Sequence, residues 1–178
     1  MQNEINTVDD IYKANNRTRT YLRELLSGIS EDEAVRPIDG QPWSIAQIVE
    51  HISLVAEGSS RVCAKLMSKS KAENDLSDGT VTISKNFIQK SHEVAGIKLT
   101  APDIVQPGSL SIRESLEKMA ASEERLESLR PLFQIYDGTT RKFSHPFFGE
   151  LSAHEWLLLS GYHERRHIEQ LKRLLEKN

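Results

Sequence analysis

The sequence predicts an all-α fold, a four-helix bundle, on three observations. Four segments repeat apolar residues every three or four positions, the period of a helix with one buried face. Three of them open on a capping-box pattern, a serine followed three residues later by Glu or Gln. One long polar connection, about residues 70 to 108, separates the second segment from the third. A crossover of that length lets consecutive helices run the same way, as in bundles with long crossover connections.

Each element has its own signal. Val8, Ile11, Tyr12, Asn15, Thr18, Leu22, Leu25 and Leu26 share one face of a first helix over about 7 to 27, and Gly28 is its C-terminal stop. Ser30 with Glu33 is a further capping box, which predicts a short helical turn before Pro37 and the Asp39-Gly40 turn. Ser44 with Gln47 starts the second helix, with Trp43 stapled onto Ile48; Ile48, His51, Ile52, Val55, Val62 and Leu66 form its apolar face. Within the connection, residues 84 to 95 are weakly amphipathic and predict one short helix, and Thr80 to Ile83 a brief extended piece. Ser111 with Glu114 caps the third helix, whose stripe runs from Leu116 to Leu129 before Pro131 disturbs it. A turn at Asp137-Gly138, a short strand or extended arm and a Pro-Phe-Phe-Gly loop lead to the fourth helix, 151 to 175, capped by Ser152 and Glu155 with Leu151 and Trp156 as its staple.

Composition narrows the partners. At 178 residues and 38% hydrophobic, the chain suits one domain, 1–178, with a substantial core. A net charge of -3 argues against nucleic acid. The absence of an apolar leader and of any run of about 18 apolar residues argues against a membrane. A single cysteine, Cys63, excludes an internal disulfide and predicts a reducing, cytoplasmic setting in which Cys63 is a buried small hydrophobe.

The chemistry concentrates in the histidines. His163 and His167 lie four apart within the apolar stripe of the last helix. That spacing puts their Cβ atoms about 5 to 6 Å apart, from which two imidazole nitrogens reach one ion at about 2.0 to 2.1 Å. A third partner must come from elsewhere, and His51, which faces the core from the second helix, is the best candidate. A lone H-x-x-x-H is as well explained by two polar residues at the edge of a core stripe, and His51 alone by a hydrogen-bonded core histidine. Three neutral imidazoles would leave a coordination position open, as in catalytic zinc sites. Cys63, about 18 Å along the helix from His51, and His154, about 13.5 Å before His163, are too far to share the ion. His92 and His145 lie in irregular segments and read equally as surface residues, although His145, beside Pro146-Phe147-Phe148, would line the mouth of the site if that loop folds over the bundle end. His163-Glu164-Arg165-Arg166-His167 also matches H-E-x-x-H, where the glutamate is the general base of a metalloprotease. Glu164 is turned about 100° from His163 on a helix, and no substrate-binding strand accompanies it, so it reads as a solvated charge beside Arg165 and Arg166.

Pro42-Trp43-Ser44 running to His51, His145-Pro146-Phe147-Phe148-Gly149 and His163-x-x-x-His167-x-x-Gln170-Leu171 together resemble the DinB-like family of helical-bundle metalloproteins, in order and over nearly the whole chain. The resemblance implies an up-down-down-up bundle, a divalent metal, often zinc or nickel, on His51, His163 and His167, and commonly a homodimer. Characterised relatives include transferases and isomerases that use low-molecular-weight thiols such as bacillithiol and mycothiol; other relatives are assigned as metal-dependent hydrolases. The long connection departs from the family pattern and bears on substrate access. The expectation is therefore a metal-dependent enzyme acting on a small-molecule substrate, a thiol S-transferase first and a hydrolase as the alternative. A non-catalytic metal-binding or sensing protein is the reading from another class. Since Cys63 is out of reach and no serine has an assignable base, the nucleophile should come from outside. Tyr162, which precedes a ligand, and His145, in the neighbouring loop, are the candidates to support the ligands or the bound substrate.

Overall fold

The computed structural model describes residues 5–176 apart from 96 and 98, and it is helical with one small hairpin. The elements are α1 (Val8–Leu26), α2 (Glu31–Ala34), α3 (Ile45–Ala72), α4 (Lys85–Val94), a 3-10 turn (Asp103–Val105), α5 (Ile112–Ile135), β1 (Lys142–His145), β2 (Gly149–Ser152) and α6 (Ala153–Leu175). Reciprocal capping boxes open five of the six α-helices, at Thr7, Ser30, Ser44, Ser111 and Ser152. In each, the hydroxyl accepts an amide three residues on, and that residue's side chain accepts the amide of the cap. Ser84 caps α4 by accepting from the amide of Phe87 at 3.1 Å.

Three details refine the sequence expectation. Pro131 does not interrupt its helix: α5 continues to Ile135. The amide that a proline lacks would have bonded the carbonyl of Glu127, and Glu127 sits on the exposed side of α5, where the loss is least costly. The arm before α6 is a regular antiparallel hairpin, pairing Lys142 with Ser152 and His145 with Gly149. Its turn residue Gly149 has φ of 72°, which glycine adopts without a Cβ penalty. Thr80 to Ile83 forms no strand, although Thr80 bridges Thr7 and the amide of Val81 donates to the carbonyl of Asn6 at 3.1 Å.

The four long helices enclose two apolar clusters. One gathers Val8, Tyr12, Cys63, Leu126, Phe133 and Leu157; the other gathers Leu22, Ile48, Ile52, Met119, Ile168 and Leu171. Between them every long helix contributes buried polar residues: Asn15 and Arg19, Ser59 and Ser60, Ser122, and Ser160 and Glu164. This belt is bonded across helices, by Asn15 Nδ2 to the carbonyl of Leu157 at 2.9 Å and by Arg19 Nε to Glu164 at 3.3 Å. Further bridges tie Arg130 to Asp9, Arg23 to Glu123, Lys118 to Glu57 and Arg125 to Ser60. Among the described residues no helix is long and apolar enough to cross a membrane.

Candidate metal centre

The three predicted histidines converge. His51 comes from α3 and His163 and His167 from successive turns of α6, and each offers a nitrogen within 4.8 Å of the other two. The ring centroids are 4.9, 5.0 and 4.5 Å apart for His51–His163, His51–His167 and His163–His167. Nε2 of His51 and Nε2 of His163 are separated by 3.1 Å. In a tetrahedral set with bonds of about 2.0 to 2.1 Å, ligand nitrogens stand roughly 3.3 Å apart, so this cluster is near the spacing a small cation requires.

Tautomers support the same fit. His51 Nδ1 faces the carbonyl oxygen of Val105 at 2.7 Å. A carbonyl only accepts, so Nδ1 carries the proton and Nε2 of the neutral ring presents a lone pair. His167 Nδ1 likewise meets Oε1 of Gln170 at 2.8 Å, which leaves its Nε2 free. Nδ1 of His163 is buried without a protein partner. Burial holds all three rings neutral at pH 7: it lowers the pKa of His51, takes His167 down to about 4, and drives His163 well below the usual histidine value, helped by the neighbouring His167 and His51. Three neutral imidazoles, with inward lone pairs on His51 and His167, are a donor set suited to a divalent ion of the zinc or nickel type.

The surroundings give several residues roles that the sequence pattern did not indicate. Trp43 packs its ring 4.9 Å from that of His51. Glu50, one residue before His51, is buried, and its Oε2 accepts the amide of Leu110 at 3.1 Å. Arg166, one residue before His167, donates to the carbonyl of Val94 at 2.9 Å and to that of Ile97. The long connection is thereby strapped across the histidines, with the Val105 carbonyl as the atom that touches them. Its periodicity gave no hint of this, because a backbone carbonyl has no sequence signature.

The remaining candidates are distributed as follows. His145 lies on β1 among Phe148 and Trp156, with centroids 5.2 and 5.1 Å away, and its Nδ1 accepts the amide of Phe147 at 3.1 Å. Burial lowers its pKa to about 4, and it is near enough to the cluster to act on the charge of His163. Tyr162 is 44% exposed and stacks on Phe87 of α4 at 6.4 Å. His154 is buried against Phe133 and Gly138, away from the triad, and His92 is exposed on α4. Cys63 is buried, and its thiol is pushed up to about 12 by desolvation, as expected of a small hydrophobe. Glu164 requires a correction: it is no solvated charge but 1% exposed, bonded to Arg19 and turned into the polar belt. Burial raises its pKa against the opposing pull of Arg19. Its partner lies 145 residues away in sequence, beyond any local pattern.

Comparison with known proteins identifies the fold and the family. YuaE of Bacillus subtilis (strain 168), itself described as uncharacterized, is 25% identical over 166 residues, covering 91% of this chain and 95% of its own. The solved structure of TT2238, described as a four-helix bundle protein, superimposes with a TM-score of 0.63 at 22% identity over 93% of this chain and 98% of that one, which shows the shared fold. The sequence pattern of the DinB superfamily matches residues 14–171, a span that includes His51, His163 and His167. The chain belongs to the DinB superfamily.

Proposed function

We propose that His51, His163 and His167 hold one divalent ion, zinc or nickel, and that the site belongs to a metal-dependent enzyme, a thiol S-transferase that joins a low-molecular-weight thiol to a small electrophilic substrate. The observation that carries this reading is the convergence of three neutral imidazoles from two helices, two of them, His163 and His167, on residues that keep partial exposure. A bound divalent ion would supply positive charge that favours the anionic form of a thiol or of water beside it.

The residues of the chain divide the remaining work. Val105 and Gln170 hold protons on Nδ1 of His51 and His167 and so keep both Nε2 atoms as donors of electron pairs. His145 accepts from Phe147 at Nδ1 and therefore keeps its own proton on Nε2; neutral at pH 7, it can donate a hydrogen bond to a bound substrate. Both glutamates adjacent to the triad in sequence are engaged, Glu50 by Leu110 and Glu164 by Arg19. With neither free as a general base, an external thiol nucleophile is favoured over water activation of the H-E-x-x-H kind.

The up-down-down-up order is part of this reading. It is supported by the bridges 57 to 118 and 60 to 125 between α3 and α5, by 15 to 157 and 19 to 164 between α1 and α6, and by 63 to 153 between α3 and α6. A homodimer, one domain spanning the chain and a cytoplasmic setting belong to it as well, on the strength of the resemblance, the span of the family match and the lone reduced cysteine.

Elemental analysis should find about one divalent ion per chain, lost on His167→Ala. Conjugation of small thiols to chlorinated or epoxide electrophiles should require the metal-loaded protein. Equal rates with and without metal would refute the proposal. Metal-dependent ester or amide cleavage without thiol conjugation would move the assignment to a hydrolase, and metal binding with neither activity to a sensing or storage role.

A further inference from the structure

We infer that Glu50 is a positioning residue for the metal centre: its buried carboxylate pins the segment 105–110 to the bundle and thereby keeps the Val105 carbonyl on His51. The inference rests on the proposed metal site and adds to it a residue that is not itself a ligand.

The Val105 carbonyl and the Leu110 amide belong to residues five apart on the connection, and they meet two consecutive residues of α3. The carbonyl of Val105 accepts from His51 Nδ1 at 2.7 Å, and the amide of Leu110 donates to Glu50 Oε2 at 3.1 Å. The first contact decides which nitrogen of His51 is protonated and in which plane the ring lies, because a carbonyl accepts only within its own lone-pair region. The second contact ties that carbonyl to the bundle. The other bonds near the 3-10 turn do not serve this purpose: Gln106 Nε2 bonds Ala101, and the amides of Val105 and Gln106 bond Pro102 and Asp103, all within the connection itself. Arg166 grips Val94 and Ile97, upstream of the turn. The turn itself buries little, with Ile104 88% exposed.

The packing at Glu50 is close on its other oxygen as well. A Cβ added to Gly108 would lie 3.4 Å from Glu50 Oε1, so the backbone of the strap passes directly over the carboxylate. Glu50 is 5% exposed. A buried carboxylate is costly unless hydrogen-bonded, and the Leu110 amide is the partner that satisfies Oε2. The carboxylate and the strap therefore require each other, and the geometry of His51 depends on both.

The test is zinc affinity, measured by competition with a chromophoric chelator, alongside far-UV circular dichroism and metal-free melting of each variant. Outer partners that orient metal-ligating histidines typically carry about 10- to 100-fold in affinity. Glu50→Ala should therefore weaken zinc binding at least tenfold. Glu50→Gln keeps a carbonyl oxygen for the Leu110 amide and should stay within about threefold of the unaltered protein. Leu110→Pro deletes the donor without touching α3; it should reproduce the Glu50→Ala loss, and the double variant should be no weaker than the worse single one, because both remove the same contact. A purely structural Glu50 would lower the metal-free melting temperature and leave the affinity of the folded protein unchanged, and that result would overturn the inference, as would additive losses in the double variant. Unchanged affinity in both single variants while His167→Ala abolishes binding would remove this inference alone, whereas no zinc binding by the unaltered protein would remove the metal site with it.

Discussion

Gly161→Ala is the most informative single change to the scaffold, because it sets helix propensity against packing at one atom. In a solvent-exposed helix interior the substitution stabilises by about 1 kcal/mol. Here Gly161 lies in the middle of α6, against Asn15 of α1, and a Cβ would fall 2.7 Å from Asn15 Cγ and closer still to Oδ1. Asn15 is buried in the polar belt and caps the Leu157 carbonyl at 2.9 Å. It has two responses. Staying in place strains the α1–α6 contact, at about 1 to 3 kcal/mol for overpacking. Turning away abandons a buried hydrogen bond and leaves an amide unsatisfied, at about 1 to 3 kcal/mol. Relaxation mixes the two at about 1 to 3 kcal/mol, so after the propensity gain the net is a loss of up to about 2 kcal/mol, or up to about 8 °C in melting temperature for a chain of this size. Urea titration followed by far-UV circular dichroism, with thermal melts in parallel, measures this directly. Adding Asn15→Ala should recover part of the loss, giving a coupling of at least about 1 kcal/mol between the two sites. A Gly161→Ala variant more stable than the parent by the full propensity gain of about 1 kcal/mol would refute the close approach of the two helices at this level.

Two further predictions concern buried charge. Arg19→Met leaves Glu164 buried without its cation and should cost about 3 to 5 kcal/mol, largely restored by Arg19→Met with Glu164→Leu; because the Glu164 pKa is already raised, the cost should shrink as pH is lowered and the carboxyl takes up a proton. Stability of the metal-free protein should rise with pH between roughly 4 and 6.5: His145 and His167 titrate near 4 when folded against 6.5 when unfolded, so the unfolded chain binds more protons in that window and stability is lost as pH falls through it, by up to about 3 kcal/mol for each group before solvent screening. A flat urea midpoint from pH 7.5 to 4.5 would contradict the burial of these rings.

The helix starts were legible because they are written locally. Ser30-x-x-Glu33, Ser44-x-x-Gln47, Ser111-x-x-Glu114 and Ser152-x-x-Glu155 each close a box in the structure, since a box needs only one turn of chain to form. The meeting of His51 with His163 and His167 was legible for a related reason: imidazoles inside apolar stripes must face the same interior. What escaped depended on distant or featureless partners. Glu164 looked solvated beside Arg165 and Arg166 until Arg19 of α1 was brought against it. Glu50 and Val105 act through main-chain amides and carbonyls, which every residue has. Pro131 marked a break that the exposed side of α5 did not need. The hairpin pairs only four residues a side, too few for an alternation of period two to stand out.

Trp43 has a use beyond packing. It is one of two tryptophans in the chain, and its ring lies tilted, 4.9 Å from the imidazole of His51. At that range the indole's emission is sensitive to the electronic state of the imidazole. An ion with unpaired electrons, such as nickel in its common divalent forms, quenches a nearby excited indole, whereas closed-shell zinc does not. The protein thus has an intrinsic fluorophore at its own candidate centre. Fluorescence of a Trp156→Phe variant, in which Trp43 alone emits, would distinguish the two ions and follow their exchange in real time without any label.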